Sequence, residues 1–551
     1  MKKILLIIWS IAINGVLIMA QVQVADDVRH GSASLPDRKV TSQNTVEDDD
    51  RFGCTTITVG KKASDDGSVR TSHTDDSHRS RSNILITLAA KHKPDTKLTL
   101  YKRIWCDTTK MKSYLDVPVG EIPQAPQTYS FFNTAYPCMN EKQLGIGEST
   151  FGGRSELISE EGLIDCQRLC GLMLARCATA REAIRTAGQL LDEYGWIDAG
   201  ECLTIADKNE VWHMEIVGPG KGKKGAVWAA QRVPDEHISI NANASRIRQI
   251  DTQRPDEFMF SENVFEVAKE NGWWNPDERP FEFCYAYAPA SRNTMAGRRR
   301  EWRVFNLLAP SLGLDPNAEN HPFSVKPDKP VSLQDMVNVF QDYYEDTPFD
   351  LRKNITVADD SGRMVISPIA NPFMIRDELK LHRVNGGWNE LGERTIAVRF
   401  TMYATIIQCR DWLPDEIGGV CWFALDNVAS SVYVPIYCSV TDLPKTYQTC
   451  GRITGFSRDA AWWAFNRLSS LATRRWGDTQ KDLQEVWKPL QAEWFENQAI
   501  VEEKALKLYD PAKKSKVLDY LTKYSSDCGN TAVSKAWDLG DALWNKYDGM
   551  W

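Results

Sequence analysis

The stretch GCTTITVGKKASDDGSVRTSHTDDSH, residues 53–78, opens the folded part of this chain. CTTITVG alternates and is rich in β-branched residues, the pattern of a half-buried strand. KKASDDGS holds Asp66-Gly67, a dipeptide suited to a tight hairpin turn, and VRTSHT returns as a second strand. The pair predicts a hairpin whose first strand begins at a cysteine. Cys54 is then either a small apolar residue among thirteen cysteines, or a residue placed to become a chain terminus.

Upstream, the character is different. Residues 1–20, MKKILLIIWSIAINGVLIMA, put two lysines before an apolar run that ends at Ala20, the form of a secretory signal peptide cleaved near that alanine. No cysteine follows close enough for lipid attachment. Residues 21–53 carry no apolar periodicity and end in the acidic run EDDDRFG, which reads as a pro-segment. Export, to the periplasm or the medium of a bacterium, would permit disulfides, and a few bridges among the cysteines are expected.

Downstream, NILITLAA (83–90) and KLTLYKRI (97–104) suggest another hairpin. Residues 159–195 switch to helical spacing; Thr179 with Glu182 forms a capping box and Gly195 a stop. Cys166, Cys170 and Cys177 share one face of the first helix, at a spacing that suits packing better than zinc. ECLTIADKN and EVWHMEIVG form strands around a turn at Lys208-Asn209, followed by AVWAAQRV. The glycine-lysine loop GPGKGKKG between strands does not match a phosphate-binding loop. Strands recur at 394–410 and 419–438, and four helical segments follow from Ser457. This order suits an α+β core with an α-helical extension.

The chain has 551 residues, a net charge of −8, 42% apolar and 25% charged residues. That composition is of a globular protein and gives no basic face for nucleic acid. No stable membrane insertion is expected once the signal is removed.

The densest titratable cluster is SHTDDSHRSR. His73, Asp75 and His78 could offer metal ligands, but a zinc centre needs a further partner that the sequence does not supply, so no metal and no cofactor is expected. Read alone, the cluster is a polar loop.

The opening stretch resembles the amino-terminal signature of the dipeptidase A/secernin family, within the N-terminal-nucleophile (Ntn) hydrolase superfamily. NEKQLGIGEST (140–150), IADKNEVWHMEIVG (205–218), WAAQRVPDEHISINAN (228–243) and YVPIYCSVTDLP (433–444) extend the resemblance over roughly residues 54–470. It implies a four-layer αββα sandwich over residues 54–450, with residues 451–551 as the helical extension. It also implies a cysteine dipeptidase in which removal of residues 1–53 exposes Cys54. A thiol of pKa near 8.5 beside an α-amine of roughly 7.7 to 8.0 can pass it a proton, so one residue supplies nucleophile and base.

By the same resemblance, Asp76 would hold the Cys54 ammonium or thiol, and Asn243, helped by backbone amides of residues 147–150, would meet the oxyanion. His73 stands where the family commonly has arginine. Either it takes that role in a pH-dependent way, or Arg79, Arg81 or, by preference, Arg300 reaches in. Glu148, with Thr150 beside it, is the candidate for the substrate ammonium. Small peptides are the expected partners, and a homo-oligomer is compatible with the helical tail. An amidase acting on N-acyl amides keeps the same mechanism. A carbohydrate-binding protein is the alternative suggested by nineteen tryptophans, among them the pairs Trp273-Trp274 and Trp462-Trp463.

Overall fold

In a computed structural model the described residues are 53–77, 80–107, 112–375, 378, 394–451 and 455–550. The signal and pro-segment expected over residues 1–53 lie outside them except for Gly53, as do His78 and Arg79. The opening hairpin forms as the sequence predicts, with β1 at Gly53–Val59 and β2 at Val69–Asp76, and Gly67 at the turn has φ +82°. They pair antiparallel, with Cys54 opposite Asp75 and Gly53 opposite Asp76.

A second group follows in β3 (Gly145–Gly152), β4 (Gly200–Ala206), β5 (Val211–Val217) and β6 (Val227–Val233). The later strands are β7 (Ile238–Asn241), β8 (Thr401–Cys409), β9 (Val420–Leu425) and β10 (Val434–Tyr437). Two antiparallel sheets result. The seven-stranded sheet runs from Ser324–Val325 through β7-β1-β2-β8-β9-β10, and the eight-stranded one from Phe258–Phe260 through β6-β5-β4-β3 to three short strands.

The sheets meet through β1 and β2 on one side and β3 to β5 on the other. Thr71 Oγ1 lies 2.7 Å from Thr204 Oγ1, and Thr58 Oγ1 3.0 Å from His213 Nε2. Because side chains alternate along a strand, Cys54 shares the face of Thr58, and His73 and Asp75 the face of Thr71. All therefore point toward the second sheet, while Thr55, Thr74 and Asp76 point away. Gly147 makes the close approach feasible: a Cβ there would lie 2.2 Å from the Ser72 carbonyl oxygen.

Helices α1 (Cys166–Arg176) and α2 (Ala180–Tyr194) contact the eight-stranded sheet. Thr179 caps α2 by accepting from the Glu182 N–H, but the Glu182 carboxylate takes the Ala178 N–H, so the box closes one residue early. Helix α3 (Met295–Leu308) contacts β7, and α4 (Ala461–Ala472) and α6 (Ser515–Lys546) contact β9 and β10. The 33-residue α5 (Trp476–Leu508) packs on α6. One buried cluster takes in Ile57, Ile406 and Phe423 from the sheet together with Leu468, Trp487 and Leu521 from the tail. Each such side chain contributes about 1.5 to 3 kcal/mol, so the tail is part of the core that supports β1 and β2.

Several expectations are corrected. The segments at 83–90 and 97–104 do not pair: Leu85–Thr87 joins Phe131–Asn133, and Lys97–Asp107 pairs with Lys112–Pro123. The predicted 394–410 strand starts at Thr401. The last two predicted helices are one, because Cys528 and Gly529 are buried in the middle of α6 and packing carries the helix through the glycine. In place of the expected disulfides, each buried cysteine among the described residues is a free thiol, and Cys166, Cys170 and Cys177 are packing residues. Of the tryptophans suggested for sugar binding, Trp273 and Trp274 pack against a buried aromatic cluster, and Trp462 is buried.

Candidate active site

Cys54 sits on the second residue of β1, 5% exposed. Its backbone N–H donates to Asn243 Oδ1 at 3.1 Å, and its carbonyl accepts from Arg300 Nη1 at 2.7 Å. Its thiol donates to Glu148 Oε2 at 3.2 Å. Three elements far apart in sequence therefore fix one residue: the turn after β7, helix α3 and strand β3.

Arg300 does more than touch Cys54. Nη1 also reaches Thr55 Oγ1 at 2.9 Å, and Nη2 reaches the Ala242 carbonyl at 2.9 Å and Asn243 Oδ1 at 2.8 Å. Burial, reinforced by the charge of Arg394, lowers this guanidinium to about 9, which leaves it cationic at neutral pH. Asn243 has φ +59°, a left-handed conformation that asparagine tolerates better than most residues. That turn aims the amide back at β1.

Expected as an oxyanion donor, Asn243 has its Nδ2 engaged by the Thr150 carbonyl at 2.7 Å, while its oxygen holds the Cys54 nitrogen. In the uncleaved chain it is a holder of that nitrogen. Asp76 also departs from expectation. Strand alternation turns its carboxylate away from the thiol, and it accepts from Arg394 Nη1 at 3.0 Å, Thr401 Oγ1 at 2.7 Å and Thr74 Oγ1 at 3.0 Å.

His73, buried at 1% exposure, does not occupy an arginine's place against the Cys54 backbone; Arg300 does. The imidazole lies edge-on to Tyr136 and Tyr403 and puts Nε2 3.1 Å from Glu148 Oε2, short of hydrogen-bond alignment. Arg81 binds Asn133 and the Thr134 carbonyl instead of the site.

The thiol side of the site is acidic. Burial pushes the Cys54 thiol up, and the negative charges of Glu148, Asp75 and Asp76 push it further, so it is protonated in the uncleaved chain. Burial also pushes Asp75 up, to about 7, against the opposing pull of His73. Glu148 is buried too, but the His73 imidazole against its carboxylate outweighs burial and holds it below the usual range.

Glu201, on β4 opposite Thr150, was not foreseen from the sequence. Thr150 Oγ1 lies 2.9 Å from Glu148 Oε1 and 2.7 Å from Glu201 Oε1. One hydroxyl proton serves one carboxylate, so one of the two carboxyls must carry a proton of its own. Burial, with the charges of Glu148 and Asp198, raises Glu201 strongly and makes it the acid of the pair.

Among the described residues, Cys54, His73 and Glu148 bring donor atoms within 4.8 Å of one another, as do Glu148, Cys166 and Glu201. The first set is spaced to accept a thiophilic divalent cation; Asp75 belongs to neither. Nothing in the local sequence of Arg394, in LGERT, marks it as a site residue; tertiary pairing with Asp76 reveals it.

Comparison with known proteins supplies the family. The model of peptidase family C69 matches residues 53–489. The chain is 24% identical over 465 residues to a "Probable dipeptidase" of Latilactobacillus sakei, covering 82% of this chain and 88% of that protein. It is 25% identical over 418 residues to "Probable dipeptidase B" of Lactococcus lactis subsp. lactis (strain IL1403), covering 73% and 78%. To "Dipeptidase A" of Lactobacillus helveticus it is 23% identical over 444 residues, covering 77% and 82%. The cysteine held at the start of β1 lies inside the matched stretch, and the chain belongs to peptidase family C69, a family of cysteine peptidases.

Proposed function

We propose that the chain is an exported cysteine dipeptidase whose residues 1–53 are removed, leaving Cys54 as an N-terminal nucleophile on a four-layer αββα Ntn sandwich. The family and the dipeptidase names of its relatives support the activity. The stacking of two antiparallel sheets with helices against each supports the fold reading.

The observation that carries the mechanism is the double grip on Cys54: nitrogen held by Asn243 and thiol by Glu148. Once the Gly53-Cys54 bond is broken, that nitrogen is an amine oriented to take the thiol proton. The thiolate attacks the peptide carbonyl. The amine's proton passes to the leaving nitrogen, releasing the C-terminal amino acid and a thioester. Water, deprotonated by the same amine, then cleaves the thioester and releases the N-terminal amino acid.

Glu148 supports a dipeptide over an N-acyl amide. In a dipeptide the α-ammonium is one carbon from the carbonyl under attack, so it must lie close to Sγ, where a buried carboxylate stands. An acyl chain would set apolar atoms against that carboxylate where a dipeptide sets an ammonium. The test is intact mass of the mature, active protein: it should begin at Cys54. An active chain retaining residues 21–53, or a Cys54→Ala variant that still cleaves dipeptides, would overturn the reading.

A further inference from the structure

The two ends of the site carry opposite charge. Beside the thiol stand Glu148 and Asp75; on the side of the nitrogen stand Arg300, bound to the Cys54 carbonyl, and Arg394, bound to Asp76. Arg394 is 7% exposed. Its Nη1 binds Asp76 at 3.0 Å, but its Nη2 is buried with no hydrogen-bond partner among the described residues. A buried guanidinium N–H without an acceptor costs roughly 1 to 3 kcal/mol or more, and such groups are rare in folded proteins unless something else satisfies them.

What lies against that N–H is Gly53. A Cβ on Gly53 would stand 3.0 Å from Arg394 Nη2 and 2.3 Å from Asn243 Oδ1. Loss of the segment ending at Gly53 would empty this space, immediately beside the Cys54 nitrogen. In the mechanism above that nitrogen protonates the leaving amine. The leaving amino acid must therefore occupy the place Gly53 held, with its own carboxylate one carbon from the amine.

We propose that Arg394 Nη2 binds the C-terminal carboxylate of the substrate and is what limits the enzyme to one residue beyond the scissile bond. This deepens the dipeptidase reading and rests on it. The zwitterion fits the polarity of the site: ammonium toward Glu148, carboxylate toward Arg394. A longer peptide places a neutral amide where the carboxylate belongs and leaves the guanidinium N–H poorly matched.

The experiment compares the processed enzyme and its Arg394→Gln and Arg394→Lys variants on Ala-Ala, Ala-Ala amide and Ala-Ala-Ala, with Cys54→Ala as control. The wild type should prefer Ala-Ala to its amide by roughly 10- to 100-fold in kcat/KM, the worth of one charge-assisted hydrogen bond. Arg394→Gln should bring that ratio near one, and Arg394→Lys should restore part of it. Damage to Asp76 alone would lower turnover of acid and amide together and leave the ratio intact. A retained ratio in Arg394→Gln, or a wild type indifferent to the carboxylate, overturns the proposal. Activity surviving in Cys54→Ala would instead overturn the mechanism on which it rests.

Discussion

The Glu148 carboxylate lies 3.2 Å from the Cys54 thiol, and both are buried. A negative charge at that distance opposes thiolate formation, and a substrate ammonium set beside it would offset that charge during turnover. Glu148→Gln should therefore lower kcat/KM for dipeptides by roughly 100-fold, the scale of losing one side of a buried charge pair. The same change should ease cleavage of N-acyl amides. Steady-state kinetics on matched substrates with and without a free ammonium check this; an equal loss on both would mean that Glu148 serves the thiol alone.

Glu201 acts as an acid, so the neutral amide should replace it. Glu201→Gln should keep kcat/KM within about 3-fold of wild type at neutral pH, whereas Glu201→Ala, which removes the buried group bonded to Thr150 and leaves a cavity beside Glu148, should cost roughly 10-fold or more. Raising the pH ionises Glu201 in the wild type and puts a second charge beside Glu148. The alkaline limb of the wild-type profile should thus weaken or vanish in Glu201→Gln. Profiles that superimpose would refute the assignment.

Asp75 gives the fold a pH dependence. Its ordinary value is near 3.9, and burial raises it to about 7 in the folded chain. Between those values the folded state holds a proton that the unfolded state has released. Stability is therefore fully present below about pH 4 and falls as pH rises through 7, by up to about 4 kcal/mol. Asp75→Asn should flatten this decline and melt higher than wild type at pH 8, with little difference at pH 4. Thermal melts at the two pH values decide it.

Gly53 has no room for a side chain. Gly53→Ala drives a methyl into Asn243 Oδ1, the atom that holds the Cys54 nitrogen. Overpacking of this kind costs about 1 to 3 kcal/mol. The full-length variant should melt lower and accumulate uncleaved chain in a time course followed by mass. Cleavage at the wild-type rate would show that the grip of Asn243 on this nitrogen does not matter for processing.

The opening hairpin was legible because its evidence is local: alternation, β-branching, an Asp-Gly turn and a cysteine at the first strand's start. Family-specific residues in one dense motif carried Cys54, and the motif around Gly147 carried Glu148. The helix start at Thr179 and the hairpin β4-β5 were legible for the same reason.

What the sequence by itself determined was the opening hairpin with Cys54 at the start of its first strand, and the family. Only the tertiary structure decided the neighbours. Arg300 reaches Cys54 across 246 positions and Arg394 reaches Asp76 across 318. Glu201 meets Glu148 through a hydroxyl on the next strand. Strand alternation turned Asp76 away from the thiol and His73 toward it, and the pairing of the 83–90 segment went to a distant strand. Periodicity fixes which face a residue occupies, but which charges share that face depends on how two sheets and a helix pack. In a buried site that choice sets every pKa, because burial leaves each carboxylate and guanidinium to the partners that packing provides.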